Sequence, residues 1–240
     1  MSDNLADGLD ELRKHLDLKT IMSLIESTAR WVDPATFKLL PIWYPEYARR
    51  AQLYNANWTV ARMLKASTLK FEGNTQANKA LTQALGLRSR SNWTCCHIWG
   101  VDDPTYQRSN DVVQDHRFFS CVANMVLLPM PLKAFTDAMP DVKAMLRICA
   151  RNTYGWHCDH ESVAEAVDLI DRWNEWDAYP QSWPRAPGKG APKGVRPLNA
   201  KIKANSKRRL QAIGHDLVHA GPYYPREAVR ASLEYWGVAV

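Results

Sequence analysis

Apolar residues recur at three- and four-residue spacing over residues 5–32 (Leu5, Leu9, Leu12, Leu16, then Ile21, Leu24, Ile25), which predicts amphipathic helix with a break near Asp17. Asp33-Pro34 stops that pattern and restarts a helix. Residues 45–70 are again helical in spacing, with Tyr47, Leu53, Tyr54, Trp58, Ala61 and Leu64 as the buried stripe. Gly73-Asn74 breaks it, and 75–85 reads as a short helix with Thr75 as N-cap and Gly86 at C′. Strand character begins at about Trp93 and returns over 118–128, bulged near Ala123-Asn124. The polar stretch 100–116 between them turns at Asp102-Asp103-Pro104.

Pro131 can open a helix, since its missing N–H is not needed at N1, and Pro140 interrupts that helix. A further helix over 141–154 carries Val142, Met145, Leu146, Cys149 and Ala150 on its apolar face, and 161–176 follows with Val163, Val167, Ile170 and Trp173. Residues 183–197 hold Pro184, Pro187, Gly188, Gly190, Pro192, Gly194 and Pro197, a composition that reads as an extended linker. Two helices close the chain, over about 198–218 and 225–236. The expected fold is α+β and mainly helical, with one small hairpin embedded among helices. Its expected regions are 1–90, 91–180 and 181–240.

With 240 residues, 46% of them hydrophobic, the chain can bury a substantial core. A net charge of +6 says little by itself, but its distribution says more. Arg185, Lys189, Lys193, Arg196, Lys201, Lys203, Lys207, Arg208 and Arg209 follow one another with no acid among them, which makes this stretch the expected phosphate-binding surface. Five cysteines form no CxxC pair, so neither a disulfide framework nor a ribbon-type zinc site is indicated and a reducing, cytoplasmic setting is expected. The opening Met-Ser-Asp-Asn-Leu-Ala-Asp has no basic stretch leading into an apolar run, and no later apolar run approaches membrane-spanning length, so no membrane partner is expected.

Two residues bring chemistry into the picture. His97 ends the apolar segment Thr94-Cys95-Cys96-His97-Ile98-Trp99, and Asn124 precedes the run Met125-Val126-Leu127-Leu128-Pro129 that leads to the helix at Pro131. Hydrolysis of a phosphodiester needs a base for water, a Lewis acid for the charge developing on phosphate, and a group that fixes the base. The order strand, His, loop, Asn, strand, helix over residues 93–137 resembles the core of the HNH (ββα-metal) endonuclease superfamily.

The resemblance implies a divalent-metal-dependent endonuclease acting on DNA, with RNA not excluded and defence against foreign DNA as one setting. It makes His97 the general base and Asn124 the group that orients it or supports the metal, which would be Mg2+, or else Mn2+ or Zn2+. Family ligands map onto Cys96, just before the His, and onto positions nine and thirteen after the Asn, which are Lys133 and Asp137. Asp137 is a hard ligand; Cys96 is soft; Lys133 is suited to a phosphate oxygen instead. Asp102 and Asp103 on the following loop can supply a missing carboxylate, and Asp103 is taken as the third metal residue. Lys201, Lys203, Lys207, Arg208 and Arg209 would join Lys133 in holding nucleic acid. The departures at Cys96 and Lys133 keep an alternative open, a non-catalytic nucleic-acid-binding protein on a degenerate scaffold of this kind.

Other residues carry two readings each. His116 is a second active-site histidine or a surface residue. His157, Asp159 and His160 resemble a metal cluster by composition alone. The ten Trp suit a core, although Trp99 and Trp183 flank the polar loop and the basic stretch and could stack on bases.

Overall fold

The computed structural model describes residues 5, 7–53, 58, 69–100, 110–173 and 177–240. The fold is α+β and mainly helical. Helices α1 (Gly8–Arg13) and α2 (Leu18–Thr28) meet at Asp17, whose carboxylate accepts the Thr20 N–H at 2.7 Å, so the break falls where a capping side chain stands. Ile21, Met22 and Ile25 turn the apolar stripe of α2 into the core. A short strand β1 (Trp31–Val32) follows, then α3 (Pro34–Leu39), started by the Asp33 carboxylate on the Ala35 N–H.

The helix expected over 45–70 is not formed at either described end. Instead β2 (Ala51–Leu53) and β3 (Leu69–Phe71) pair antiparallel, and the Arg49 N–H is taken by the Val113 carbonyl at 2.8 Å. Long-range partners for the backbone outweigh the few tenths of a kcal/mol per residue, about, that helical propensity supplies. Tyr54, Ala61 and Leu64 lie outside the described residues. Helix α4 (Thr75–Ala84) has Asn74 rather than Thr75 at its N-cap, and Gly86 closes it at φ +63 with the Leu87 N–H returned to the Thr82 carbonyl.

At the centre, β4 (Trp93–His97) runs antiparallel to β5 (Met125–Pro129), with Trp93 opposite Pro129 and His97 opposite Met125. The strand expected from 118 begins only at Met125. Residues Val122–Asn124 form a 3-10 turn, because the Asn124 N–H closes on the Cys121 carbonyl at 3.0 Å. From β5 the chain passes through a second 3-10 turn, Met130–Leu132, into α5 (Lys133–Ala138), which packs back on β4. Helix α6 (Pro140–Tyr154) begins at Pro140 and buries all five residues of its expected apolar face. The helix expected over 161–176 is shorter: a 3-10 turn, Glu161–Val163, leads into α7 (Ala164–Asp171). Strand β6 (Val195–Arg196) pairs parallel with β1, and α8 (Ala200–His219) and α9 (Arg226–Tyr235) complete the chain, with α8 against α3 and α4.

Both faces of the central hairpin are covered, and Cys95, Cys96 and the first four residues of β5 are all buried. All five cysteines are free and buried. Trp99 and Trp183 are core residues rather than stacking platforms, edge-on to Trp156 and Trp31, with 0% and 2% of their surface exposed. The proline- and glycine-rich stretch is likewise pinned to the body. The Pro184 carbonyl accepts from Asn152 and Tyr179, and at Gly194 (φ +89) a Cβ would meet the Ala29 carbonyl oxygen at 2.1 Å, so only glycine lets β6 approach β1. Among the described residues no helix is long and apolar enough to cross a membrane.

Candidate functional site

His97 ends β4 partly exposed, its ring stacked on Phe119 at 5.7 Å between centroids. Its Nε2 lies 2.8 Å from the Phe119 carbonyl oxygen. A carbonyl only accepts, so Nε2 carries the proton and Nδ1 keeps its lone pair. Nδ1 faces the Arg49 guanidinium at 3.4 Å. Burial, and then the charge of Arg49, push the His97 pKa down to about 3 against the pull of the Phe119 bond, so the ring is neutral near pH 7.

Arg49 reaches the site from the segment before β2 and is steadied by the Asn74 side-chain oxygen at 2.5 Å. Its Nε is buried with no partner among the described residues. Burial holds its pKa below the usual arginine value. Removing a guanidinium from water without pairing all its donors is costly, and an anion drawn to this point offsets that cost.

Asn124 is fully buried, and its side-chain hydrogen bonds go to backbone rather than to the His97 ring. Its side-chain oxygen accepts the Trp99 N–H at 2.7 Å, its amide donates to the Phe118 carbonyl at 3.1 Å, and its own carbonyl accepts the Ile98 N–H at 2.8 Å. It therefore ties the chain leaving β4 to the chain entering β5. From α6, the nearly buried Arg147 adds a second clamp, donating to the Ile98 carbonyl at 3.1 Å and the Gly100 carbonyl at 2.7 Å.

The residues expected to hold a metal stand differently. Cys96 is 2% exposed, and burial pushes its thiol pKa up to about 12 despite the Thr136 hydroxyl beside it, so it is a protonated core thiol. Asp137 is ion-paired with Lys133 one turn before it on α5. Asp102 and Asp103 lie outside the described residues. Among the described residues no three His, Cys, Asp or Glu side chains gather to hold a metal. Magnesium asks for hard oxygen donors, and a protonated thiol with a lysine-paired carboxylate does not fit it.

His116 is buried rather than on the surface, its Nδ1 on the Pro45 carbonyl at 2.7 Å and its Nε2 taking a bond from Arg50. Asp159 accepts from Tyr235, His160 accepts from Ser162 and His157 lies against the Trp99 ring, so the three members of that cluster have structural partners. Lys201, Lys203, Lys207 and Arg208 are exposed along α8. Arg209 turns inward instead, donating to the Trp43 carbonyl, pairing with Glu46 and lying 4.4 Å from the Tyr44 ring centre.

Sequence reasoning missed Arg49 and Arg147. Arg49 fell inside the expected helix over 45–70, and a single arginine in the pattern of α6 gave no signal. For Arg209 a signal existed: Ile202, Ser206, Arg209 and Ile213 follow four-, three- and four-residue spacing, the inner stripe of α8. No family model, curated protein or solved structure matches the chain.

Proposed function

We propose that this protein hydrolyses phosphodiester bonds of DNA as an endonuclease of the HNH (ββα-metal) kind, with His97 as its general base. The observation that carries the reading is the His97 ring, whose Nε2–H is fixed on the Phe119 carbonyl while Nδ1 points at Arg49 from the end of β4. In this reading the Arg49 N–H shifts from Nδ1 to the phosphate, the freed Nδ1 takes a proton from water, and the water oxygen attacks phosphorus. The bond to the leaving sugar oxygen then breaks, and that oxygen is protonated by solvent. Arg49 stabilises the charge that builds on the phosphate. Asn124 and Arg147 act through position, holding the chain on either side of His97. No step is drawn through a divalent cation, because Cys96 and Asp137 as they stand do not fit one.

The second reading, a nucleic-acid-binding protein without catalysis, is favoured by the Lys133–Asp137 pair, which engages the expected metal carboxylate among the described residues. Purified protein incubated with plasmid, single-stranded DNA and RNA, under Mg2+, Mn2+, Zn2+ or EDTA, separates the two. Cleavage that falls about 10²- to 10⁴-fold in His97→Ala, with affinity kept, supports hydrolysis. Equal rates in mutant and wild type refute the base, and binding without cleavage in every arm leaves the binding protein.

A further inference from the structure

A cavity of about 340 Å³ opens beside the Trp93 end of the hairpin, lined by Arg30, Arg90, Arg196, Ser89, Ser91 and Trp93 among others. Its lining holds three cations and no carboxylate among the described residues. Each arginine is fixed by main chain: Arg30 donates to the Thr28 and Ala29 carbonyls at the end of α2, Arg90 to the Trp93 carbonyl, and Arg196 to the Leu85 carbonyl that ends α4. One nitrogen of each is used in this way, and none of the three is ion-paired among the described residues. The Arg30 guanidinium also sits 5.3 Å from the centre of the Trp93 ring. Three like charges held in one hollow repel one another, and their spare donors form a ready-made fork for phosphate oxygens.

A second cavity of about 400 Å³ shares Arg30 and Arg196 and continues past Gly194, Val195 and Pro197 to Asn199. Asn199 is the N-cap of α8, so the positive end of a 20-residue helix lies at that wall. Beyond it α8 carries the exposed Lys201, Lys203 and Lys207. The positive surface is thus a line rather than a point, which suits a polyanion better than a single phosphate.

We infer that this groove is a binding site for the phosphate backbone of a nucleic-acid strand, with Arg30, Arg90 and Arg196 as its phosphate fork. The inference rests on the nucleic-acid part of the preceding reading and not on hydrolysis. Side chains alternate along a strand, so Trp93 and His97 share one face of β4 with Cys95 between them. Four residue steps separate them by about 13 Å, the axial length of some four phosphates of a duplex strand. Cys95 between them is buried, so the groove and His97 lie at opposite ends of a covered strand, and a nucleic acid touching both would have to pass around the hairpin.

The test uses Arg90→Gln/Arg196→Gln and the charge-retaining Arg90→Lys/Arg196→Lys in the full chain, measured in EDTA by fluorescence anisotropy with labelled single-stranded and duplex DNA. The Gln pair is expected to weaken binding at least tenfold and to flatten the plot of log affinity against log salt by up to about 1.4 on single strands and 1.8 on duplex. The Lys pair should keep the salt slope. A melting temperature measured beside each variant separates lost phosphate contact from lost helix capping. Should the Gln pair lose stability, the proposal turns on the folded Lys pair, which a normal slope supports and a slope as flat as that of the Gln pair overturns. Unchanged affinity and slope in a stable Gln pair overturn the inference. So does competition by millimolar inorganic phosphate as strong as that by polyphosphate of the same phosphorus content, since a lone anion site would then explain the arginines. Plasmid cleavage by a Gln pair with wild-type affinity would leave hydrolysis standing while this inference falls; slope loss without cleavage by any form would do the reverse.

Discussion

His97 and Asn124 grip neighbouring carbonyls: the His97 ring donates to that of Phe119 at 2.8 Å and the Asn124 amide to that of Phe118 at 3.1 Å. Neither side chain hydrogen-bonds the other. They share two consecutive peptide units, so the orientation of the histidine depends on the asparagine through the backbone at 118–119.

Asn124→Ala should therefore damage stability first and any His97 chemistry as a consequence. It leaves the Trp99 N–H and the Phe118 carbonyl buried without their partner, a loss of roughly 2–4 kcal/mol at the usual cost of an unsatisfied buried group. Urea unfolding measures this directly. A loss below about 0.5 kcal/mol would mean that water or a shifted backbone satisfies both groups, and the linkage from Asn124 to His97 would not hold.

The lowered pKa of His97 has a defined sign in stability. Its folded value, about 3, lies below the unfolded value of about 6.5, so the unfolded chain takes up a proton between these limits while the folded protein does not. The stability linked to His97 is complete above pH 6.5 and declines as the pH falls from there towards 3, by at most about 1.4 kcal/mol per pH unit. His116, also pushed down by burial, adds to the same limb. Unfolding of wild type and His97→Gln at pH 7, 6, 5 and 4 should give a shallower decline in the variant. Parallel declines would show that His97 titrates alike in both states.

The β4–β5 pairing, the place of His97 at one strand end and of Asn124 before the other, and the stripe of α6 follow from local patterns of apolar and turn residues, and the structure carries them. The β1–β6 pair was not legible, because two residues on each side carry no periodicity and meet only where Gly194 allows it. Arg49 was hidden for a related reason: its position beside His97 is fixed by contacts with Asn74 and Val113, and apolar spacing over 45–70 mimicked a helix. The charge run ending at Arg209 read as one phosphate-binding surface, yet a helix gives each residue its own direction, and Arg209 turns inward.

That division along α8 separates two phenotypes. Arg209 and Glu46 are 10% and 5% exposed, so Arg209→Ala strands a buried carboxylate and should cost about 3–5 kcal/mol in unfolding experiments, with no change in the salt dependence of DNA binding. Lys207→Ala/Arg208→Ala should do the opposite, leaving stability within about 0.5 kcal/mol and lowering the salt slope by up to about 1.8 on duplex DNA. A reduced slope in a folded Arg209→Ala protein would place that side chain on the nucleic acid after all. An unaltered slope in the Lys207/Arg208 pair would confine phosphate contact to other surfaces.

The Lys133–Asp137 pair decides what Asp137 can do. Its side chains are 36% and 33% exposed, and a pair so placed is worth about 0.2–1 kcal/mol. Lys133 thus competes with any cation for the carboxylate, and its removal should free Asp137 by up to about fivefold in affinity. If cleavage uses a divalent ion held in part by Asp137, Lys133→Ala should lower the Mg2+ concentration giving half-maximal cleavage, while Asp137→Ala should raise it. Lys133→Ala should also weaken DNA binding if its ammonium touches a phosphate, and anisotropy in EDTA reads that effect apart from the metal. Identical Mg2+ titrations for wild type and both variants would make Asp137 a helix-surface acid paired with its neighbour, and any metal would then have to be held by other donors.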